Sequence, residues 1–362
     1  MPKLPKKKSW FIKDEIKALK LLKKLFHIKL VKIALILLIV ITLGPLTMFF
    51  FLKPKAQTDI TNGVTFSKKY TEELGMDWRS SYLKILDDLG VDNLRLVAYW
   101  DDVEKYKDNY NFEDIKWQLE EAEKRNVNVI MNIGRKVPRY PECFEPSWWN
   151  EIESEELRNV ELYEYIKVAV TELKQFENIQ KWQVENEPFF PFGECLYEIK
   201  FSTVRQEVEI VRSVDDRPIL IQDSGEGGLW YPSFTLGDYL AISMYRKIWY
   251  DFWGALGGDF IYFKYPLAHW TYKIKADVTR VPYQRIVVTE LQAEPWGPSI
   301  NSELSQYEKD RSFSRNDFLA TTSYAQQAGF KDLYFWGVEW WLWEKEFNNN
   351  PFFWDSARAL FN

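Results

Sequence analysis

Histidine and cysteine are nearly missing from this 362-residue chain, with two of each. His27 lies in a lysine-rich N-terminal segment, so His269 alone is left for the folded body. That rules out a multi-histidine zinc site and weighs against a Ser-His-Asp triad. Two cysteines are too few for a thiolate metal cluster. No glycine-rich phosphate loop follows the first strand-like run, so the usual mark of a dinucleotide-binding sheet is absent. Basic charge is also scarce beyond the N-terminus. Residues 1–32 hold eleven lysines against Asp14 and Glu15, a net of +9, so an overall charge of -6 leaves -15 on the rest. A body that acidic is a poor partner for nucleic acid, whose phosphates need clustered Lys and Arg. With no metal site and no cofactor signature, the chemistry falls to carboxylates, tyrosines and arginines.

What is present is an apolar, aromatic chain, 46% hydrophobic and 17% Phe, Trp and Tyr, which excludes disorder. Ile33 to Leu52 is a run of twenty residues without charge, long enough to cross a bilayer as a helix. Gly44 and Pro45 interrupt it, and membrane helices tolerate both. The lysines precede it, so the positive-inside rule puts the N-terminus in the cytoplasm and the body outside. The expected organisation is a basic cytoplasmic segment at 1–32, a single-pass signal anchor at 33–52, a linker at 53–62 and a catalytic domain at 63–362. A cleaved signal peptide competes, but the basic region is long for one and no small-x-small site follows. A buried core helix is the plain alternative, opposed by the lysine asymmetry. Ile16, Leu19, Leu22 and Phe26 recur at helical spacing, which reads equally as an amphipathic helix on the inner leaflet or a solvated tail.

From Gly63 onward, short apolar runs alternate with amphipathic stretches. The strand candidates are Gly63–Phe66, Asn93–Tyr99, Asn128–Ile133, Gln180–Val184, Pro218–Gln222, Tyr239–Met244, Arg285–Thr289 and Asp332–Trp336. Helical spacing marks Trp78–Leu89, Phe112–Arg125, Leu162–Phe176, Phe201–Val214 and Arg315–Ala328 between them. Continuous Val/Ile/Leu runs fit parallel strands covered on both faces. Eight such units predict an α/β fold, a (β/α)8 TIM barrel, with catalytic residues just past the C-terminal strand ends.

Two of those ends run straight into glutamate: Trp182-Gln183-Val184-Glu185-Asn186-Glu187-Pro188 and Val287-Val288-Thr289-Glu290. On a closed barrel they would face each other, and two facing carboxylates are the minimum apparatus for cleaving a glycosidic bond. Asn186-Glu187-Pro188 after a fourth strand and Thr289-Glu290 after a seventh resemble the retaining glycoside hydrolases of the large (β/α)8 clan, which includes cellulases, β-mannanases and β-xylosidases. The resemblance implies Glu187 as general acid/base and Glu290 as nucleophile. It implies that Asn186 bonds the sugar 2-hydroxyl, that Tyr245 donates to the nucleophile and that Arg95 keeps it ionised. It also implies a tryptophan floor for the reacting sugar, with Trp336 the better match and Trp340 and Trp341 open. Flanking Trp182, Pro188, Phe189 and Phe190 would desolvate Glu187 and raise its pKa. Retention requires carboxylates about 5 Å apart.

The expected function is therefore a membrane-anchored retaining glycoside hydrolase cleaving a β-linked oligo- or polysaccharide, acting as a monomer. A transglycosylase remodelling surface glycan and a non-catalytic carbohydrate-binding barrel are the alternatives. Glu185, one pleat period before Glu187, is assigned a supporting role, and Glu294 is the rival strand-seven acid. Glu339 reads equally as a hydroxyl ligand or a solvated charge, Arg95 as a site residue or an interior ion pair. Asp101 and Asp223 read as caps or loop anchors. Trp249, Tyr250, Trp253, Tyr262, Tyr265 and Trp270 crowd one segment, as a sugar-stacking wall or as that loop's own core. Cys143 and Cys195 fall in neighbouring rim loops and form either a bridge or two buried thiols.

Overall fold

The computed structural model describes residues 8–51, 56–250 and 261–361. The chain divides into two units, Met1–Lys53 and Pro54–Asn362. The first is one helix, α1 (Lys8–Phe51), 44 residues long and unbroken at Gly44-Pro45. The basic residues from Lys8 onward and the apolar run thus lie on one continuous helix. Within it Leu19–Gly44 is long and apolar enough to cross a membrane, with a mean hydropathy of 2.4. The side chains of Ile16 and Leu22, and Leu52 itself, lie outside the described residues.

The second unit is a closed barrel of eight parallel strands. They are β1 (Thr61–Thr65), β2 (Asn93–Val97), β3 (Asn128–Ile133), β4 (Ile179–Val184), β5 (Ile219–Asp223), β6 (Tyr239–Met244), β9 (Ile286–Gln292) and β10 (Asp332–Trp336). Between β6 and β9 lies an antiparallel pair, β7 (Lys247–Tyr250) and β8 (Ile261–Lys264), which does not join the barrel. Trp253, one of the expected sugar-stacking residues, lies outside the described residues. β1 begins at Thr61, two residues inside the expected linker, and β9 continues past Glu290 to Gln292. β5 and β9 are buried at every position, as strands covered by helices outside and side chains inside must be.

The outer face of the strands and the inner faces of the helices form one large apolar core that includes Trp182, Trp341 and Trp354. Helix starts are capped locally: Ser305 and Ser314 each open a capping box, with Glu308 and Asp317 reaching back to the cap nitrogen. Such boxes satisfy two donors that the helix cannot. The barrel interior is layered. Its apolar floor is Ile130, Leu220, Ala241, Val287 and Tyr334. One pleat period further along the same strands stand Asn132, Gln222, Ser243, Thr289 and Trp336, so the interior turns polar toward the C-terminal rim.

Candidate active site

β9 contains the device that aims Glu290. In its pairing with β6, Ile242 faces Val288 and the next residue, Ser243, faces Glu290. The pairing with β10 slips at the same point. One extra residue is thus inserted in β9, a β-bulge. Strict alternation would turn Glu290 outward if Thr289 faces in. With the bulge both face in, and both meet Gln222: Thr289 Oγ1 donates to Gln222 Oε1 at 2.7 Å, and Gln222 Nε2 donates to Glu290 Oε1 at 2.7 Å.

Arg95 is fully buried beneath this carboxylate. Its Nη1 reaches Glu290 Oε1 at 3.2 Å, its Nη2 donates to Asn186 Oδ1 and Gln222 Oε1 at 2.6 Å each, and its Nε donates to Gln183 Oε1 at 2.8 Å. Tyr245, immediately after β6, brings its hydroxyl to 3.4 Å from Glu290 Oε2. Asn186 Oδ1 and Glu290 Oε1 are thus bridged by one guanidinium, which fixes both without a flexible link.

Glu187 follows β4 through a turn in which Glu185 (φ 62°) and Glu187 (φ 47°) both take left-handed backbone. Non-glycine residues held there store strain, and such strain concentrates at functional sites. The turn is clamped from below: the Glu185 carboxylate accepts from the Arg135 and Lys136 backbone nitrogens at 2.9 and 2.6 Å. Gly134 has no alternative at φ +126°, since a Cβ there would stand 2.6 Å from Glu185 Oε1. Ser243 Oγ donates to Glu187 Oε1 at 2.6 Å. Burial, then the charges of Glu290 and Glu142, hold the Glu187 carboxyl well above the ordinary range. Trp182 takes no part in that desolvation. It points away from Gln183, into the core under the helices.

A second charged group flanks the first. Arg139, buried in the loop after β3, pairs with Glu294 and with Glu339 Oε2 at 2.5 Å. Its guanidinium lies against the rings of Tyr70 and Trp336, 3.9 and 4.1 Å from their centroids. Glu339 Oε1 accepts from the Ser67 nitrogen at 2.6 Å, so Glu339 is a buried ion-pair member and not a solvated loop charge. Glu294, the rival acid, is committed to Arg139 and pushed by burial to about 7. Cys143 and Cys195 are bridged, with Cα atoms 5.2 Å apart. The bridge ties the loop bearing Arg139 to the loop after Glu187.

The structure thus brings together Glu187, Glu290, Asn186, Arg95 and Tyr245, with Trp336 facing Arg139. Trp340 departs from expectation. Its indole is 1% exposed and packs on Phe353 with ring centroids 4.5 Å apart, so it has no face to offer a sugar. Asp223 anchors its loop by accepting from Trp230 N and Ser233 Oγ. Reasoning from sequence missed Arg139, Glu142, Gln222 and Ser243. The last two had a signal: each is a polar residue at an inward position of an apolar strand. Trp296 was missed as well, and it meets Tyr245 edge-on at 5.5 Å.

Searched by sequence, the chain matches no family model and no curated protein. Its fold is shared with solved glycoside hydrolases. An exo-β-1,4-mannosidase from Opitutaceae bacterium strain TAV5 superposes with a TM-score of 0.55 at 14% identity, over 85% of this chain and 61% of the mannosidase. Xylanase 10B from Thermotoga petrophila RKU-1 gives a TM-score of 0.54 at 16% identity, over 83% of this chain and 94% of the xylanase. This chain therefore spans less than two thirds of the mannosidase, and the likeness at such identities is one of fold.

Proposed function

We propose that this chain is a retaining β-glycoside hydrolase held at a membrane by α1. The observation behind the reading is the division between two carboxyls at the barrel rim. Glu187 is desolvated and its carboxyl is held well above the ordinary range, which favours the proton a general acid must give, whereas Glu290 receives donors from Arg95, Gln222 and Tyr245. That is the pair a double displacement needs. Glu290 attacks the anomeric carbon and forms a glycosyl ester while Glu187 gives its proton to the departing oxygen. Glu187, now a carboxylate, takes a proton from water, and the water oxygen displaces Glu290 with a second inversion. One barrel-fold neighbour is by name an exo-β-1,4-mannosidase and another a xylanase bound to xylobiose, and this supports the β-glycan class.

Glu290→Ala should abolish turnover of aryl β-glycosides. Glu187→Gln should slow poor leaving groups by about 10²–10⁴-fold, the usual worth of a general acid, and spare activated ones. NMR of the first product should show the β-anomer. An α-anomer, or turnover surviving in Glu290→Ala, would sink the double displacement. The membrane reading rests on α1, whose Leu19–Gly44 stretch is long and apolar enough to cross a membrane. Carbonate-washed membranes should retain the full chain, and its release to the supernatant would refute the anchor.

A further inference from the structure

Glu207 is a buried carboxyl that the double displacement does not use. It lies on the helix Phe201–Val214, between β4 and β5, and is 0% exposed. Among the described residues, neither of its carboxyl oxygens receives an N–H or a hydroxyl. Its hydrogen-bonding neighbour is another carboxyl, that of Glu185, which is also 0% exposed. The cation that acts on both, Arg135, is already engaged: its Nε stands 3.0 Å from Glu145 Oε1 and its Nη2 donates to the Tyr197 carbonyl.

Two ionised carboxyls repel, and burial removes the water that would screen them. One proton turns the same contact into a strong hydrogen bond, because an acid O–H donates to a carboxylate oxygen. The donors around the pair decide which carboxyl bears it. Glu185 accepts from the Arg135 and Lys136 backbone nitrogens at 2.9 and 2.6 Å, and these favour its charged form. Glu207 has no such donor, and burial, then the Glu185 charge, raise it well above the ordinary carboxyl range.

The position of Glu185 gives that proton a use. The Glu185 nitrogen donates to Ile133 O at 3.1 Å, and the Asn186 nitrogen donates to Lys136 O at 2.6 Å. Lys136 Nζ donates in turn to the carbonyl oxygens of Glu187 and Phe190, at 2.9 and 3.1 Å. The turn bearing Glu187 is thus fastened to residues 133–136 both before and after that glutamate. Left-handed backbone at φ 62° and 47° persists only where its surroundings over-determine it, and the Glu185 carboxylate is one of those ties.

Resting on the glycosidase reading, we propose that Glu207 is a positioning residue: its acid form donates a hydrogen bond to Glu185 and so locks the turn that presents Glu187 to the leaving oxygen. The proton stays on the pair throughout turnover, and Glu187 alone exchanges one with the substrate.

The test compares Glu207→Leu, which removes the donor at similar bulk, with Glu207→Gln, whose amide N–H donates in the acid's place. The full chain in detergent is assayed with phenyl (poor) and dinitrophenyl (activated) β-glycosides of glucose, mannose, xylose and galactose. Only the poor leaving group needs the proton of Glu187. Glu207→Leu should therefore lower kcat for the phenyl glycoside by about 10–100-fold more than for the dinitrophenyl one, the cost of a misplaced catalytic group. Glu207→Gln should return that ratio to within about threefold of the unaltered chain. Equal losses on both substrates in Glu207→Leu would mark a purely structural role and overturn the proposal. So would a leucine variant that behaves like the unaltered chain, or a glutamine variant that falls as far as leucine. Each ratio is taken on one preparation, so partial misfolding cancels, and Glu207→Met repeats the removal should leucine prevent folding. Hydrogen exchange separates the lock from the hydrolase reading. The Arg135 and Lys136 amides should exchange at least about tenfold faster in Glu207→Leu but not in Glu207→Gln, with β10 unchanged in both. That pattern with no aryl glycoside cleaved upholds the lock and sinks the hydrolase. Cleavage with exchange unchanged in Glu207→Leu does the reverse.

Discussion

Replacing Arg95 with methionine tests the centre of the site. The guanidinium is fully buried and donates to Gln183, Asn186, Gln222, Glu290 and the Thr289 carbonyl. Methionine keeps the bulk of the stem and removes every donor. At the Arg95–Glu290 separation of 3.2 Å, Coulomb's law with an effective dielectric of about 20 gives roughly 5 kcal/mol. Stranding one member of a buried pair costs about 3–5 kcal/mol in measured cases, so the two routes agree. Arg95→Met should therefore destabilise the barrel by about 3–5 kcal/mol. Much of the penalty is the stranded Glu290 charge, so Glu290→Gln on the Arg95→Met background should restore part of it. Tryptophan-fluorescence unfolding of the four proteins closes the double-mutant cycle. A coupling of at least about 2 kcal/mol is expected for partners in one buried network. Effects that add to within about 0.5 kcal/mol would show that Arg95 and Glu290 do not depend on each other, and the division of labour drawn between them would fail.

Stability should fall as pH rises from 5 to 8. Burial lifts Glu142 to about 8 and Glu185, Glu226 and Glu294 to about 7, from an ordinary 4.5. The folded chain keeps protons that the unfolded chain releases above about 4.5, so this contribution is full below that pH and is lost as pH climbs through 7 to 8. Carboxyls held low, such as Asp317, act below about pH 4 and leave the window untouched. The midpoint of thermal unfolding should drop across it, each group contributing on the order of 1–3 kcal/mol, and a rising midpoint would refute the assignment. Breaking the Cys143–Cys195 bridge, whose cysteines are 52 residues apart, should cost up to about 4 kcal/mol by the chain-entropy estimate. Paired Cys143→Ser and Cys195→Ser substitutions should also lower kcat/KM by loosening the loop that presents Arg139 and Glu142. Full activity in the double variant would show that this loop is held without the bridge.

The barrel was legible because its strands announce themselves by composition. Asn128–Ile133, Tyr239–Met244 and Asp332–Trp336 match in both readings, since β-branched and aromatic runs bounded by polar turns leave few other options. The N-terminal helix was legible as an apolar run but not in its extent, because lysines inside α1 (Lys8–Phe51) mask a helix that continues through them. The two glutamates were legible as positions and not as directions. Period-two alternation cannot turn both Thr289 and Glu290 inward, and only the bulge does so. No pattern in Val287 to Glu290 encodes it; it comes from the fit of β9 between β6 and β10. The same holds more strongly for Arg139 and Glu142. Both take left-handed backbone, at φ 86° and 73°, a conformation that sequence rules assign to glycine or asparagine. Their loop is fixed by Cys195 and Glu194, some fifty residues away. The proposed acid/base and nucleophile could therefore be read from short strings, whereas Arg139 and Glu142 came into the site only once the loops after β3 and β4 had been closed against each other.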